Sequence, residues 1–368
     1  MKKYIMIAMV MFCFLQAKSQ KLLSEVELDR NGEKFGHDLE GIKQNKAKIQ
    51  KLNFFVKGEK IQNNQLKSGL KSGLRLVDFE LGHVNTLPKE ILLCDNIQKL
   101  DISAQPIGKI NIDFSKLKYL QYLYLLGDSL VELPKNFLQI QHLKKLDISI
   151  NELKNVPAWL FTHPTLQELD LSEQNSEKGD KDTLLLPAIA SNKVLRVLSL
   201  AQIKTTILPA NFLRLEALEE FNLSKNLFKT LPKEIGNLKN LQVLNLSKGK
   251  LESLPKEIGK LKKLKTLDLS NNPLLILPVE IGDLESLEQL NLSNCPITAL
   301  ADSMINLKNL LEINISDTKL LDFPRLLLEL PKLMVITAKN SPNVAMWVEK
   351  NQISIDRIRK KRYFRIDL

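Results

Sequence analysis

Leucines return every 23 residues along most of this 368-residue chain. The stretch LQVLNLSKGKLESLPKEIGKLKK from Leu241 is followed at Leu264 by LKTLDLSNNPLLILPVEIGDLES, with leucines at the same offsets. The frame opens at Leu74, Ile97, Leu120, Leu143, Leu166, Leu195, Leu218, Leu241, Leu264, Leu287 and Leu310, eleven units with one spacing of 29. A unit this short cannot close a core of its own. It must bury its apolar face on its neighbours, so the period itself calls for a stacked, elongated fold.

Each unit has two halves. The L-x-L alternation makes a short strand with one buried face, while LPxxIxxL puts apolar residues at helix-like spacing behind it. Nine of the fifteen prolines occupy the LP position after the strand, where a missing N–H cannot disturb a strand ladder. The pattern L-x-x-L-x-L-x-x-N-x-L-x-x-L-P-x-x-I resembles leucine-rich repeat proteins of the 23-residue type, with the LPxxIxxL half seen in bacterial and Ras-associated members. The resemblance implies an α/β solenoid, curved, with parallel strands on the concave face and short helices or 3-10 turns on the convex face. It also implies an inward Asn after each strand, bonding neighbouring loops. Here that column reads Gly82, Gln105, Asp128, Asn151, Gln174, Ile203, Asn226, Gly249, Asn272, Cys295 and Thr318, so an unbroken Asn ladder is not expected.

The domain organisation expected is a leader over 1–19, an N-terminal cap with a degenerate repeat over 20–73, eleven repeats over 74–332, and a C-terminal cap with a basic tail over 333–368. Lys2 and Lys3 precede an apolar run from Tyr4 to Leu15, with small residues at Ala17 and Ser19. That is the pattern of a signal peptide cleaved just before Gln20, too short to span a bilayer as a helix. It predicts an exported protein, located in the periplasm, on the cell surface or secreted. A lipid attachment at Cys13 is the weaker reading, because Met11 and Phe12 are bulky. The Ser-Gln ending of the leader resembles exported proteins of the Bacteroidetes group. Loss of three lysines with the leader leaves 50 basic against 42 acidic residues, +8. Half of that surplus lies in the tail, where Arg357, Arg359, Lys360, Lys361, Arg362 and Arg365 face Asp356 and Asp367. The tail is expected as a solvated cap element, with anionic lipid or glycan as the alternative contact.

Residues for catalysis are scarce. Four histidines, no phosphate loop of the G-x-x-x-x-G-K-[ST] kind, no H-E-x-x-H and no C-x-x-C point away from an enzyme, a metal centre or a cofactor. Asn222-Leu-Ser, Asn245-Leu-Ser, Asn291-Leu-Ser and Asn314-Ile-Ser read as glycosylation sequons, yet all sit at one repeat offset, which makes them repeat consensus. Asp180 and Asp182 in the insertion lack the further oxygen ligands of a calcium loop. Cys94 and Cys295 are nine repeats apart, too far for a disulfide, and both are expected as buried thiols.

A binding function should lie on the strand face. The third, fifth and seventh residues of each unit are expected to point outward there, with the eighth at the edge. These columns hold eleven acids against four bases, a sign that repels nucleic acid. The unit from Leu120 stands out, because Tyr122, Tyr124 and Leu126 take three outward positions where other units carry Asp, Asn and Ser. Tyrosine is favoured at interface anchors. The candidate partner site is therefore Tyr122, Tyr124 and Leu126, rimmed by Lys99, Asp101, Lys145 and Asp147. The expected function is non-catalytic binding of a protein partner through the concave face by a monomer; an envelope glycan or anionic lipid is the alternative ligand.

Overall fold

The computed structural model describes residues 51–55, 76–80, 87, 92, 97–104, 107–174, 186, 192–353, 355–356 and 363–368. The expected leader, most of the N-terminal cap, Cys94, most of the insertion near 173–183 and tail residues 357–362 lie outside the described residues. The chain forms two compact units, Met1–Asp182 and Thr183–Leu368.

The first unit carries strands β1 (Lys51–Phe55), β2 (Leu76–Glu80), β3 (Lys99–Asp101), β4 (Tyr122–Tyr124), β5 (Lys145–Asp147) and β6 (Glu168–Asp170). The second carries β7 (Val197–Ser199), β8 (Glu220–Asn222), β9 (Val243–Asn245), β10 (Thr266–Asp268), β11 (Gln289–Asn291), β12 (Glu312–Asn314), β13 (Val335–Thr337) and β14 (Arg365–Asp367). Within each unit neighbouring strands pair in parallel, and from β3 to β6 and β7 to β13 the register advances by one repeat per strand. This is the leucine-rich repeat solenoid that the pattern implied.

One strand breaks the order. β1 lies between β2 and β3, aligning Leu52 with both Val77 and Leu100. The degenerate unit thus stacks directly on the Ile97 unit, and β2 forms the edge. An L-x-L strand in register can add at any open sheet edge, so chain order alone does not dictate stacking order here.

The buried column follows the first, fourth and sixth residues of each unit. Ile97, Leu100 and Ile102 are wholly buried, as are Leu241, Leu244, Leu264, Leu267 and Leu269. Behind the strands the LPxxI halves form 3-10 turns such as Lys233–Asn237, Lys256–Lys260 and Val279–Asp283. Pro232, Pro255 and Pro278 sit just before them, extended at φ −66°, −70° and −65°. Their fixed φ suits that position, and the Pro232 carbonyl accepts from Ile235 N at 3.0 Å to start the turn. Gly236 and Gly259 allow consecutive turns to touch backbone to backbone. A Cβ at these glycines would lie 2.7 Å from the Glu257 carbonyl oxygen and 2.6 Å from that of Glu280.

The post-strand ladder is kept in part despite few asparagines, since Ile203 and Gly249 bring no side-chain donor or acceptor to it. Asn151 Oδ1 accepts from Asp128 N at 3.0 Å and Leu130 N at 2.9 Å, while its amide donates to the Leu125 and Ile148 carbonyls. Asn272 repeats this with Leu251 N and with the carbonyls of Leu246 and Leu269. Elsewhere other side chains stand in: Gln174 donates to Ile148 O at 2.6 Å, Cys295 to Leu269 O at 3.2 Å and Ser341 to Ile315 O at 3.1 Å. A loop carbonyl buried without a donor would cost more than any of these substitutes, so several residue types fill the slot.

The seventh column differs from expectation. Ser149, Ser224, Ser247, Ser270, Ser293 and Ser316, expected to face outward, are buried. Each bonds the Asp or Asn two residues before it; Ser247 gives its N–H to Asn245 Oδ1 at 3.0 Å and its Oγ at 2.7 Å. Asn222, Asn291 and Asn314 accept from Ser224 N, Ser293 N and Ser316 N in the same way. The recurrent Asn-x-Ser is thus a strand-end turn built on side-chain oxygen.

Base and acid also follow the period. Among the described residues, Lys109–Glu132, Lys145–Glu168, Arg196–Glu219, Lys229–Glu252 and Lys262–Glu285 pair at 2.8 to 3.4 Å. In all five the base is in one repeat and the acid in the same column of the next. The C-terminal end is closed by helix α1 (Pro342–Lys350), with Val344 and Val348 buried and Trp347 stacked on Phe323 at 4.1 Å, and by β14. No helix among the described residues is long and apolar enough to cross a membrane.

Candidate partner-binding surface

The expected site falls on three adjacent strands of the first unit. Register places Lys99, Tyr122 and Lys145 side by side on β3, β4 and β5, and Asp101, Tyr124 and Asp147 likewise. The two aspartates point their chemistry along their own strands. Asp101 Oδ1 accepts from Ser103 N at 3.1 Å and Oγ at 2.7 Å, and Asp147 Oδ1 from Ser149 at 3.0 and 2.6 Å.

β4 cannot make this turn, because Tyr124 and Leu126 replace the Asp and Ser. Its Leu126 N–H instead donates to Ser103 Oγ on the preceding repeat, at 3.4 Å. The tyrosine ring is held differently: Lys99 Nζ lies 5.0 Å from its centroid and Lys145 Nζ 5.7 Å, one lysine from the strand on each side. Lys145 Nζ also meets Glu168 at 3.2 Å. A row of cation, ring, cation and anion thus crosses the face from β3 to β6. Cation–π contacts of this kind orient a ring at low cost in water.

Tyr122 corrects the expectation of three exposed positions. It is only 6% exposed, and Lys99 beside it only 7%. Set between two long side chains in register, the Tyr122 ring is covered rather than presented. Tyr124 and Leu126 are half-buried, with part of each side chain open.

A residue the sequence reading passed over extends the surface. Ile150, at the eighth position of the next unit, is 50% exposed. Its φ is +53°, and every described repeat has a left-handed residue at that position, among them Gly127, Asn271, Asn294 and Asn340. Glycine and asparagine tolerate it; a β-branched side chain does not. An exposed isoleucine in a strained conformation beside Leu126 gains nothing for the fold, which marks it as a candidate contact. The signal was available as an apolar β-branched residue in a column otherwise mostly polar.

The second unit has a depression of about 340 Å³ on its strand face, over β10 to β13, lined by polar and apolar side chains alike. Thr266 Oγ1 donates to Gln289 Oε1 at 3.3 Å, and Gln289 Nε2 to Glu312 Oε2 at 3.4 Å, a polar rail without aromatic anchors. Neither surface carries a histidine or a cysteine. His163 is 1% exposed and its Nε2 faces the Phe137 carbonyl at 3.2 Å; burial holds its pKa below the ordinary value against the pull of the Phe137 and Ile140 carbonyls. Burial pushes the Cys295 thiol up. Among the described residues no group of three His, Cys, Asp or Glu is placed to hold a metal ion.

Comparisons agree with the repeat architecture. Residues 177–295 match the family described as leucine-rich repeat region, and 286–307 the leucine rich repeat. A leucine-rich repeat protein of Leptospira interrogans superposes with a TM-score of 0.55 at 23% identity, over 95% of this chain and 100% of that one. An internalin of Listeria monocytogenes gives 0.51 at 16% identity, over 72% and 80%. In sequence, 160 residues are 30% identical to a probable serine/threonine-protein kinase of Dictyostelium discoideum, covering 42% of this chain and 5% of that protein. Another 93 residues are 32% identical to plant intracellular Ras-group-related LRR protein 8 of Oryza sativa subsp. japonica, covering 24% and 25%. The chain therefore spans a quarter or less of the length of these curated relatives.

Proposed function

We propose that this chain is a non-catalytic binding protein whose strand face takes a protein partner around Tyr124. The observation that carries this reading is the ring itself: half-exposed, flanked by Lys99 and Lys145, and set in the repeat that gives up the Asp-x-Ser turn to hold it. Tyr124, Leu126 and Ile150 supply apolar contact, while Asp101, Lys145 and Asp147 supply a mixed-charge rim and the buried Lys99 holds the ring from beside it, the composition of a protein interface. A sugar ring stacked on Tyr124 is disfavoured, because ammonium groups already lie over the ring. We propose further that the protein is exported, with the leader cleaved near Gln20, and binds as a monomer.

The test is capture of partners from envelope and culture fractions by the mature chain and by Tyr124→Ala. Partners retained by the first and lost by the second, at equal melting temperature, support the reading. Equal capture by both contradicts it.

A further inference from the structure

On the 3-10 side of the second unit the base-then-acid ladder breaks at two columns. Lys233 is followed one repeat later by Lys256, and Lys239 by Lys262. All four are exposed, as are Lys260 and Lys263 in the same repeats. Residues 233–263 hold eight lysines against Glu234, Glu252 and Glu257, and Glu252 already meets Lys229 at 2.9 Å. Like charges in neighbouring repeats repel, a cost offset among these four only at Lys262, which pairs with Glu285 in the following repeat. The backbone contact at Gly236 and Gly259 keeps the turns stacked, so the lysine stems start from neighbouring positions.

The column of Lys233 and Lys256 continues into Val279, 64% exposed, next to Ile276 at 70% and Leu275 at 59%. We propose that lysines and aliphatic residues together form a docking surface for an anionic lipid bilayer. The lysines meet headgroup phosphates, and Leu275, Ile276 and Val279 enter the interfacial layer. A soluble polyanion would use the lysines but leave three aliphatic side chains in water; a bilayer interface takes up both. Glu280 stands beside Val279 within the patch, Asp283 and Glu285 in the same repeat bound it on one side, and Glu285 is engaged by Lys262 at 3.2 Å. This surface is separate from Tyr124 and stands without that reading.

The experiment is vesicle flotation of the full chain with phosphatidylcholine alone or mixed with phosphatidylglycerol. The chain should float only with the mixed vesicles. Lys233→Glu/Lys239→Glu/Lys256→Glu should weaken this by about tenfold or more, and Ile276→Asp/Val279→Asp should weaken it too, both with unchanged melting temperature. No flotation, or equal flotation on neutral vesicles, overturns the proposal. So does flotation that survives the lysine changes but is lost with Lys360→Glu/Lys361→Glu in the tail. Insensitivity to the aspartate pair, with inorganic polyphosphate competing fully, overturns it in favour of a soluble polyanion.

Discussion

The thiol of Cys295 donates to the carbonyl of Leu269 at 3.2 Å, the bond that the Asn272 amide makes to the Leu246 carbonyl one repeat earlier at 2.8 Å. Cysteine therefore serves in an asparagine slot. Cys295→Ala should cost about 1 kcal/mol or less, because the Leu269 carbonyl keeps its bond from the Asn272 amide at 2.9 Å, while Cys295→Asn should match or exceed the native stability in urea melts. Since burial raises the thiol pKa, Cys295 should react with thiol reagents only after unfolding. Fast labelling of the native chain at Cys295 would contradict this packing.

Asn272 itself makes the larger contribution. Asn272→Ala removes the acceptor for Leu251 N and the donors to two buried carbonyls, so a loss of roughly 2–3 kcal/mol is expected. A loss well under 1 kcal/mol would mean that water or a backbone shift replaces the ladder.

His163 should make stability depend on pH. Its folded pKa lies below the ordinary 6.5 because burial disfavours the charged ring. The unfolded chain thus binds a proton that the folded chain resists, and stability falls as pH drops below about 6.5, levelling off below the folded pKa. The slope can reach about 1.4 kcal/mol per pH unit. Melts of the wild type and His163→Gln between pH 7.5 and 5 check this; equal slopes would show that other groups govern the acid limb.

Much of the fold was legible because its determinants are periodic. Leu244, Leu246 and Leu269 are buried as their offsets required, and the LP halves turn as 3-10 elements. Exposure was less legible, because it depends on neighbours across strands. Tyr122 occupies an outward position but lies between two lysines, and Ser247 turns in to bond Asn245. The placement of β1 between β2 and β3 follows from pairing between distant segments, which no local pattern encodes. Ile150 was visible as an apolar residue in a mostly polar column, and its backbone angle adds that the fold gains nothing from it there.

That angle separates stability from binding. Ile150→Asn should raise stability by about 1 kcal/mol, since asparagine accepts φ near +53°. The same change should weaken partner binding if the isoleucine is a contact. Lower stability in chemical melts would show that Ile150 packs within the fold.

The central claim is that Tyr124, and not the strand face at large, anchors the partner. A photo-crosslinking phenylalanine analogue placed singly at Tyr124, or at Val243 as a control in the second unit, tests this on the mature chain in its native fractions. The prediction is a covalent adduct of defined mass from position 124, absent at 243, whose partner is no longer captured by Tyr124→Ala although that variant melts within a few degrees of wild type. Adducts of equal yield at both positions, or a captured partner indifferent to Tyr124→Ala, would contradict the account.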